Sequence, residues 1–238
     1  MSATARSLGE QVETVQAVLP GEAGFDAGPV RFERLSAARH AAQIFEAQQG
    51  QDWVWDYMPI GPFADEASFR LWMKGAESSA DPCFYAIIRK QDDKTVGYAS
   101  FMRIEAANGV IEIGNILLTP ELQRSREAGA ALMAMVGWAF ENGYRRLEWK
   151  CNALNLPSRR AALRLGFSYE GTFRQHMIIK GRNRDTAWFA ITDADWQALA
   201  PAYAAWLAPD NFGPDGSQRQ SLSVLTEAAL PGRRDPAL

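Results

Sequence analysis

The sequence predicts one α/β domain of the α+β type, in which a mixed, mostly antiparallel central sheet is flanked by helices. Two observations carry this prediction. Between residues 83 and 104, two apolar runs of strand length are joined by the polar segment QDDK, which is typical of an antiparallel hairpin. From Val110 to Phe167 the pattern runs strand, polar turn, helix, strand and helix, which predicts a central βαβα unit.

The elements that precede this unit follow from local signals. Residues 1–29 are rich in Gly, Ala, Glu and Pro, and we expect an N-terminal extension that packs over the domain or frays. Apolar and charged residues alternate over 30–35, which predicts a first strand. Ser36 is the expected N-cap of the following helix, and Asp65 is the expected start of a second one.

The elements after the unit complete a domain over residues 30–207. Two further strands are predicted over 172–180 and 185–192, with GRNR as the hairpin loop between them. Asp193 is the expected cap of a last helix. Residues 208–238 are low in apolar side chains and rich in Gly, Pro and Asp, so we expect a flexible C-terminal tail.

The composition limits the environment and the partners of the chain. The formal net charge is -3, so the overall charge does not favour nucleic acid or an anionic membrane as a partner. The apolar, uncharged run over 128–140 falls short of the roughly 18 residues that a membrane span needs. No apolar segment at the N-terminus is typical of a signal peptide, and a cytoplasmic protein is expected.

The two cysteines, Cys83 and Cys151, each lie inside a predicted strand and far from any CxxC spacing. Buried reduced thiols are therefore expected, rather than a disulfide or a zinc site. No metal is expected in the protein.

Two short motifs within the central unit resemble a known family. Leu118, Pro120, Gln123 and Ala128 follow an LxPxxQxxxxA spacing, and an NxxS motif with GF downstream begins at Asn155. Their order is similar to that of the GNAT superfamily of N-acetyltransferases, and the nearest branch is the RimJ/RimL type. The resemblance covers residues 30 to 192 approximately, and it implies acetyl-CoA as the co-substrate.

The resemblance also implies where acetyl-CoA would bind. Backbone groups of the strand that ends at Leu118 would pair with the pantetheine arm in the manner of an added strand. The helix N-terminus that follows a strand offers free N–H groups and a positive dipole end to the phosphates. This chain has Arg126 where the family usually has glycine, and we expect both Arg124 and Arg126 to contact phosphate, with Arg159 and Arg160 near the adenosine 3'-phosphate. The full set of expected contacts is Ile116, Leu117, Leu118, Gln123, Arg124, Ser125, Arg126, Glu127, Ala128, Gly129, Asn155 and Ser158.

The reaction needs a base, because an alkyl ammonium group with a pKa of about 10 becomes a nucleophile only after it loses a proton. Glu112 and Glu148 are candidates because each lies among apolar neighbours, and His176 is a third. We rank Glu112 first, since the same strand would carry the thioester. Ser158 is the candidate general acid; many relatives use a tyrosine one turn later, where this chain has Ala162. The alternative for each of these two glutamates is a solvated or salt-bridged strand residue with no catalytic role, and this alternative stays open.

An aromatic loop over residues 51–63 is the expected acceptor site. Aromatic faces attract an ammonium group, and a nearby carboxylate adds a charged partner. Arg174 could hold a carboxylate on the same substrate, although plain core packing of the aromatic residues is an open alternative. The expected substrate-binding residues are Trp53, Trp55, Asp56, Tyr57, Arg174 and His176.

Two functions of different kinds remain open at this stage. The first is direct acetyl transfer from acetyl-CoA to a primary amine of an amino acid, a small amine or a protein N-terminus. The second is a non-catalytic protein of the same fold that holds acyl-CoA as a sensor or scaffold. A P-loop or Rossmann protein is excluded, because neither GxxxxGK[ST] nor GxGxxG follows a strand. A homodimer is also left open.

Overall fold

The computed structural model describes residues 6, 8–13 and 15–238. Its eight strands form one sheet in the order β1-β2-β3-β4-β5-β6-β8-β7. The elements are β1 Phe25–Ala27, β2 Val30–Arg34, α1 Ala37–Ala47, α2 Glu66–Glu77, β3 Cys83–Arg89, β4 Lys94–Glu105, β5 Val110–Leu118, α3 Arg126–Glu141, β6 Arg146–Asn152, α4 Leu156–Arg164, β7 Ser168–Ile179, β8 Arg182–Thr192, α5 Asp193–Leu207 and α6 Leu222–Ala229. The predicted βαβα unit is β5, α3, β6 and α4.

The sheet is antiparallel except at its centre, where β5 and β6 run parallel. This confirms the predicted mixed, mostly antiparallel sheet. The parallel pair is short, because only the segment from Val110 to Glu112 is in register with β6. Beyond Glu112, β5 stays paired with β4 as far as Leu118, and β6 stays paired with β8 as far as Asn152. The two central strands therefore separate and leave a cleft between them.

A β-bulge in β5 lies along this cleft. Gly114 pairs with Ser100 and Leu117 pairs with Tyr98, so β5 contains one residue more than β4 over this stretch. Asn115 takes up the extra length in a left-handed conformation with φ 50°. Its side-chain amide donates to Ser100 Oγ at 3.0 Å, and this hydrogen bond stabilises the bulge.

Two apolar layers cover the sheet. On one face, α3 and α5 pack over residues along the whole sheet, among them Phe101, Ile111 and Phe189. On the other face, α1 and α2 pack only against the first half of the sheet, around β3 and β4. Side chains alternate between the two faces of a strand. The α1/α2 face of β5, β6 and β8 therefore carries polar groups instead of a helix.

The C-terminal segment differs from the predicted flexible tail. It contains α6, whose Leu222 is fully buried. Asp235 is also buried, and its carboxylate forms an ion pair with Arg159 of α4. Asn211 donates its side-chain amide to the carbonyl oxygens of Trp206 and Gln220. Residues 208–238 are thus packed onto the domain.

The N-terminal extension also contacts the domain where it is described. Phe25 to Ala27 form β1 at the edge of the sheet, and the Val18 N–H donates to the Asn142 carbonyl oxygen. Within the described residues, no helix is long and apolar enough to cross a membrane. The same part of the chain contains no cluster of three metal-ligating side chains. Cys83 and Cys151 are both buried and form no disulfide, as the sequence predicted.

Two helix caps differ from the prediction. Ser36 precedes α1, but its side chain makes no cap hydrogen bond; instead Glu77 accepts from the Ala37 N–H across the α1–α2 pair. The cap of α5 is Thr192 rather than Asp193, and it forms a capping box with Asp195. In the first case a residue 40 positions away supplies the acceptor, which local sequence signals do not reveal.

His40 gives the stability of the fold a defined pH dependence. Its side chain is buried in α1, and burial lowers its pKa from 6.5 to about 4, with Arg39 acting in the same direction. The unfolded chain then binds a proton more readily than the folded chain, so stability is lost as pH falls from about 6.5 to 4. We expect a loss of roughly 3 kcal/mol in the free energy of unfolding across this range. Urea unfolding of His40→Gln should show a correspondingly flatter pH profile, and identical profiles would contradict the assignment.

Candidate active site

The cleft between β5 and β6 brings together the ends of four elements. Because the carboxyl ends of parallel strands lie at the same edge of a sheet, the turns that follow β5 and β6 both reach this edge. The first turn leads into α3, and the second leads into α4. Two helix N-termini therefore lie beside the open end of the cleft, which is where an anionic ligand is stabilised.

Backbone groups of β5 face the cleft on the side away from β4. The Thr119 N–H donates to the Val96 carbonyl oxygen, and residues along a strand alternate in direction. By this alternation, the backbone of Leu117 faces β4 and that of Leu118 faces the cleft. Ile116 lies in the bulge. Of the three expected pantetheine contacts, Leu118 is the one whose N–H is directed into the cleft.

The N-terminus of α3 presents unused donors. Ser125 caps the helix by accepting from the Ala128 N–H at 3.0 Å. Arg124 has a left-handed backbone with φ 61°, and Gln123 ties the turn to β5 by donating to the Leu118 carbonyl oxygen. Within the described residues, the N–H groups of Arg126 and Glu127 have no hydrogen-bond partner. These two backbone groups are available to a phosphate.

Two predicted phosphate contacts are engaged elsewhere. The Arg126 guanidinium donates to the Leu207 carbonyl oxygen at 2.9 Å and lies 4.2 Å from the centre of the Phe212 ring. The Arg159 guanidinium is buried against Asp235. Both side chains bind the C-terminal segment, so the expectation that they contact phosphate does not agree with the structure. Arg124 and Arg160 are exposed.

Gly129 has a packing reason to be glycine. A Cβ at this position would lie 2.7 Å from the Trp206 ring, which is closer than real Cβ contacts. The absence of a side chain therefore allows α5 to pack against α3.

The N-terminus of α4 has the cap that the sequence predicts. Asn155 Oδ1 accepts from the Ser158 N–H at 3.1 Å. Ser158 Oγ accepts from the Trp149 indole N–H at 3.0 Å, and this leaves the serine hydroxyl hydrogen for another acceptor. Ser158 is therefore held in the first turn of α4, where its hydroxyl contacts the side chains of Trp149 and Cys151.

Glu112 lies at the point where β5 and β6 separate, since Glu112 and Glu148 are the last residues in register. Lys150 lies between the two carboxylates: its ammonium nitrogen is 3.0 Å from Glu112 Oε2 and 2.5 Å from Glu148 Oε2. Arg103 Nε is 3.2 Å from the same Glu112 oxygen. This oxygen is buried and makes no well-aligned hydrogen bond within the described residues, despite the two nearby cations. The lysine nitrogen also lies 3.9 Å from the centre of the Trp188 ring.

The two carboxylates differ in their affinity for a proton. Burial raises the pKa of Glu112 above its ordinary value, although Lys150 and Arg103 oppose this effect. For Glu148 burial acts in the same direction, but the contacts with Lys150 and Arg146 outweigh it and lower the pKa. Glu112 is therefore the better proton acceptor of the pair.

The aromatic loop divides into a buried part and an exposed part. Trp55 is buried against Phe63 and Phe69, so the packing alternative holds for this residue. Trp53 and Tyr57 are 51% and 41% exposed. The Tyr57 hydroxyl donates to the Leu154 carbonyl oxygen at 3.2 Å, which ties the loop to the turn before α4.

A cleft of about 310 Å³ lies between this loop and the β7–β8 hairpin. Arg174 and His176 do not line it; they lie on an exposed, bulged part of β7, where His176 Nδ1 is 2.9 Å from Thr186 Oγ1. The lining residues near the hairpin tip, Lys180 and residues 182–184, were not among the expected substrate-binding residues. Three of them belong to the GRNR segment, which the sequence predicted as the hairpin loop. The cleft is lined by Trp55, Asp56, Tyr57, Pro62, Asn152, Leu154, Ile179, Lys180, Arg182, Asn183 and Arg184.

Comparisons with known proteins agree on one family. The family model described as an acetyltransferase (GNAT) domain matches residues 30–168. A crystal structure of a GCN5-related N-acetyltransferase from Brucella melitensis is 42% identical, with a TM-score of 0.87 over 90% of this chain and 98% of that one. A GNAT family structure from Chromobacterium violaceum is 36% identical, with a TM-score of 0.76 over 83% of this chain and 100% of that one.

A curated protein described as an uncharacterised N-acetyltransferase, p20 of Bacillus licheniformis, is 28% identical over 149 residues, which is 60% of this chain and 82% of that protein. The family match extends over more than half of the chain and includes β5, α3, β6 and α4. The chain belongs to the GNAT family and is an acetyl-CoA-dependent acetyltransferase.

Proposed function

We propose that the protein transfers acetyl directly from acetyl-CoA to a primary amine of an amino acid, a small amine or a protein N-terminus, and that it belongs to the RimJ/RimL-like branch. The observation that carries this proposal is the position of Glu112. The strongest candidate base lies where the two central strands separate, on the sheet face that no helix of the α1/α2 pair covers. The branch assignment rests on the motif spacing around Leu118 and Asn155.

Acetyl-CoA supplies an acetyl group that is activated as a thioester. The N–H of Leu118 and the N–H groups of Arg126 and Glu127 would hold its pantetheine arm and phosphates, since these donors face the cleft edge. Glu112 takes a proton from the incoming ammonium group and so generates the nucleophilic amine. The Ser158 hydroxyl can pass its proton to the departing thiolate while it takes the second proton that the acetylated nitrogen loses, so that coenzyme A leaves as the thiol.

The cysteines support direct transfer without an acetylated enzyme. A thiol acts as a nucleophile through its thiolate form. Burial raises the pKa of both Cys83 and Cys151, and both are buried in the structure. Neither can therefore serve readily as an intermediate acetyl carrier.

The alternative is a protein that binds acyl-CoA without turnover. One observation favours this alternative: Glu112 is paired closely with Lys150, and such an ion pair can serve the fold alone, without proton transfer. Release of free coenzyme A over a panel of primary amines, with the mass of the acetylated amine as confirmation, separates the two functions. Stoichiometric N-acetyl product supports the enzyme. Saturable acetyl-CoA binding without product from any amine would favour the sensor.

The exposed Arg124 and the engaged Arg126 should behave differently when they are replaced. Arg124→Ala should weaken coenzyme A binding by a few-fold and leave the melting temperature of the free protein unchanged, because a single exposed ion pair contributes about 1 kcal/mol or less. Arg126→Ala should lower the stability of the free protein by about 1–2 kcal/mol, since it removes a hydrogen bond and a cation–π contact. Calorimetric titration and thermal unfolding of both variants test this. A loss of coenzyme A affinity confined to Arg126→Ala would contradict it.

A further inference from the structure

The β7–β8 hairpin contains a guanidinium group that lacks a counter-ion. Arg184 forms no ion pair with any carboxylate in the described part of the chain, whereas Arg31, Arg89, Arg103 and Arg146 on the other strands do. Its Nε is buried and has no hydrogen-bond partner there. Within the described residues, its guanidinium makes one weak hydrogen bond, from Nη1 to the Met177 sulfur at 3.7 Å.

A second donor without an acceptor lies on the same strand. The Trp188 indole N–H is buried and has no partner within residues 6, 8–13 and 15–238. Arg184 and Trp188 are four positions apart on β8, so they lie on the same face of the sheet. That face also carries Lys150, which pairs with Trp188 across the β6–β8 ladder.

The surroundings of Arg184 are positively charged. Three cations line the cleft, Lys180, Arg182 and Arg184, against one carboxylate, Asp56. The Lys180 ammonium donates to the Trp55 carbonyl oxygen at 2.8 Å, which fixes the hairpin against the aromatic loop. Burial lowers the pKa of Arg184, and the charge of Glu112 is among the groups that oppose this effect. The strand register pairs Glu112 with Glu148 and Lys150 with Trp188, so Arg184 lies on the same face of the sheet as the proposed base.

A buried charge without a partner is costly, because it loses its hydration and gains no compensating contact. Buried polar groups in native proteins are normally paired, and an exception calls for an explanation such as a ligand. A carboxylate fits the vacant donors well, since a guanidinium binds it through two parallel hydrogen bonds.

We propose that the acceptor amine carries a carboxylate, which Arg184 binds in the cleft between the aromatic loop and the β7–β8 hairpin while the amine reaches Glu112. Lys180 and Arg182 attract the same anion at the mouth of the cleft. The acceptor class is therefore an amino acid or a peptide with a free carboxylate, rather than a simple alkylamine or a cationic polyamine. This inference rests on the proposed N-acetyltransferase function.

The test uses matched amine pairs on the full-length protein. A series of ω-amino acids of increasing length and a set of dipeptides are each compared with the corresponding amides, and aminoalkyl phosphates form a third arm. At the preferred length, kcat/KM for the carboxylate should exceed that for the amide by about tenfold or more, which corresponds to about 1.4 kcal/mol. Arg184→Gln should abolish this preference, so that the carboxylate and its amide react with similar kcat/KM. Arg219→Gln, which removes the same charge from an exposed position, should retain the preference.

Binding provides a readout that does not depend on turnover. Titration of the amino acids in the presence of coenzyme A should show affinity that Arg184→Gln removes, and the variant should be at least as stable as the parent because it loses a half-buried guanidinium that has no counter-ion. If no amine is acetylated but this Arg184-dependent binding is found, the anion site stands and the proposed function fails. Equal rates and equal binding for acids and amides at every length, or a preference for the phosphates alone, would overturn the proposal.

Discussion

Replacement of Glu112 by Gln should lower kcat by about 10²-fold or more at neutral pH, which is the usual effect of removing a positioned base. Gln has the same shape but cannot take a proton from the ammonium group. The loss should become smaller as pH rises, because more of the acceptor is then already a free amine. Wild-type activity should fall at low pH as Glu112 becomes protonated, and this happens at a higher pH than for an ordinary glutamate because burial raises its pKa. Steady-state kinetics across pH with the best amine of the panel test this.

Glu148→Gln is the matched comparison for this experiment. It removes a carboxylate from the same Lys150 ammonium group but leaves Glu112 in place. If Glu112 is the base, Glu148→Gln should lose clearly less activity than Glu112→Gln. Equal losses in the two variants, or a ratio to wild type that does not change with pH, would show that the Lys150 ion pairs are structural and that another group takes the proton.

Replacement of Asp235 by Asn should lower the free energy of unfolding by about 3–5 kcal/mol, since it leaves the buried Arg159 guanidinium without its counter-ion. Burial opposes the ionised form of Asp235, but the hydrogen bonds from Arg159 outweigh it and lower the pKa. The stabilisation is therefore present above the ordinary aspartate pKa and is lost only as pH falls below it. Urea unfolding at neutral pH measures the effect.

A double variant separates the lost charge pair from a simple loss of packing. Arg159→Met together with Asp235→Leu removes both charges and replaces them by apolar groups, which is often neutral or stabilising for a buried pair. The double variant should therefore be more stable than Asp235→Asn alone. If Asp235→Asn unfolds at the same urea concentration as the parent protein, the C-terminal segment is not held by this ion pair.

The sequence was informative where each element has its own local signal. The βαβα unit combines two apolar strands with an apolar helix, and Asn155 and Asp65 are good helix caps, so these features were predicted correctly. The pairing of Glu148 with Lys150 also had a local signal, because residues two apart on a strand share a face. The single parallel pair, β5 with β6, follows from this unit.

The features that were not predicted depend on partners far apart in the chain. Arg159 and Asp235 are 76 positions apart, and Arg126 and Leu207 are 81 positions apart, so no local pattern reveals either contact. Without these contacts the C-terminal segment has the composition of a flexible tail. The expected acceptor residues on β7 do not line the cleft: beside the register shift between Phe173 and Met177, Arg174 is exposed and His176 contacts Thr186 and Trp188.

The most direct test of the central claim, that the separation of β5 and β6 forms the acetyl-transfer site, is a crystal structure of the protein with acetyl-CoA. We expect the pantetheine arm between the two strands, with its amides paired to the backbone at Leu118, and the phosphates at the N–H groups of Arg126 and Glu127. The acetyl carbonyl carbon should then lie on the side of the cleft that Glu112 reaches directly or through one water. Acetyl-CoA bound away from this cleft, or with its thioester on the α3 face and out of reach of Glu112, would contradict the account.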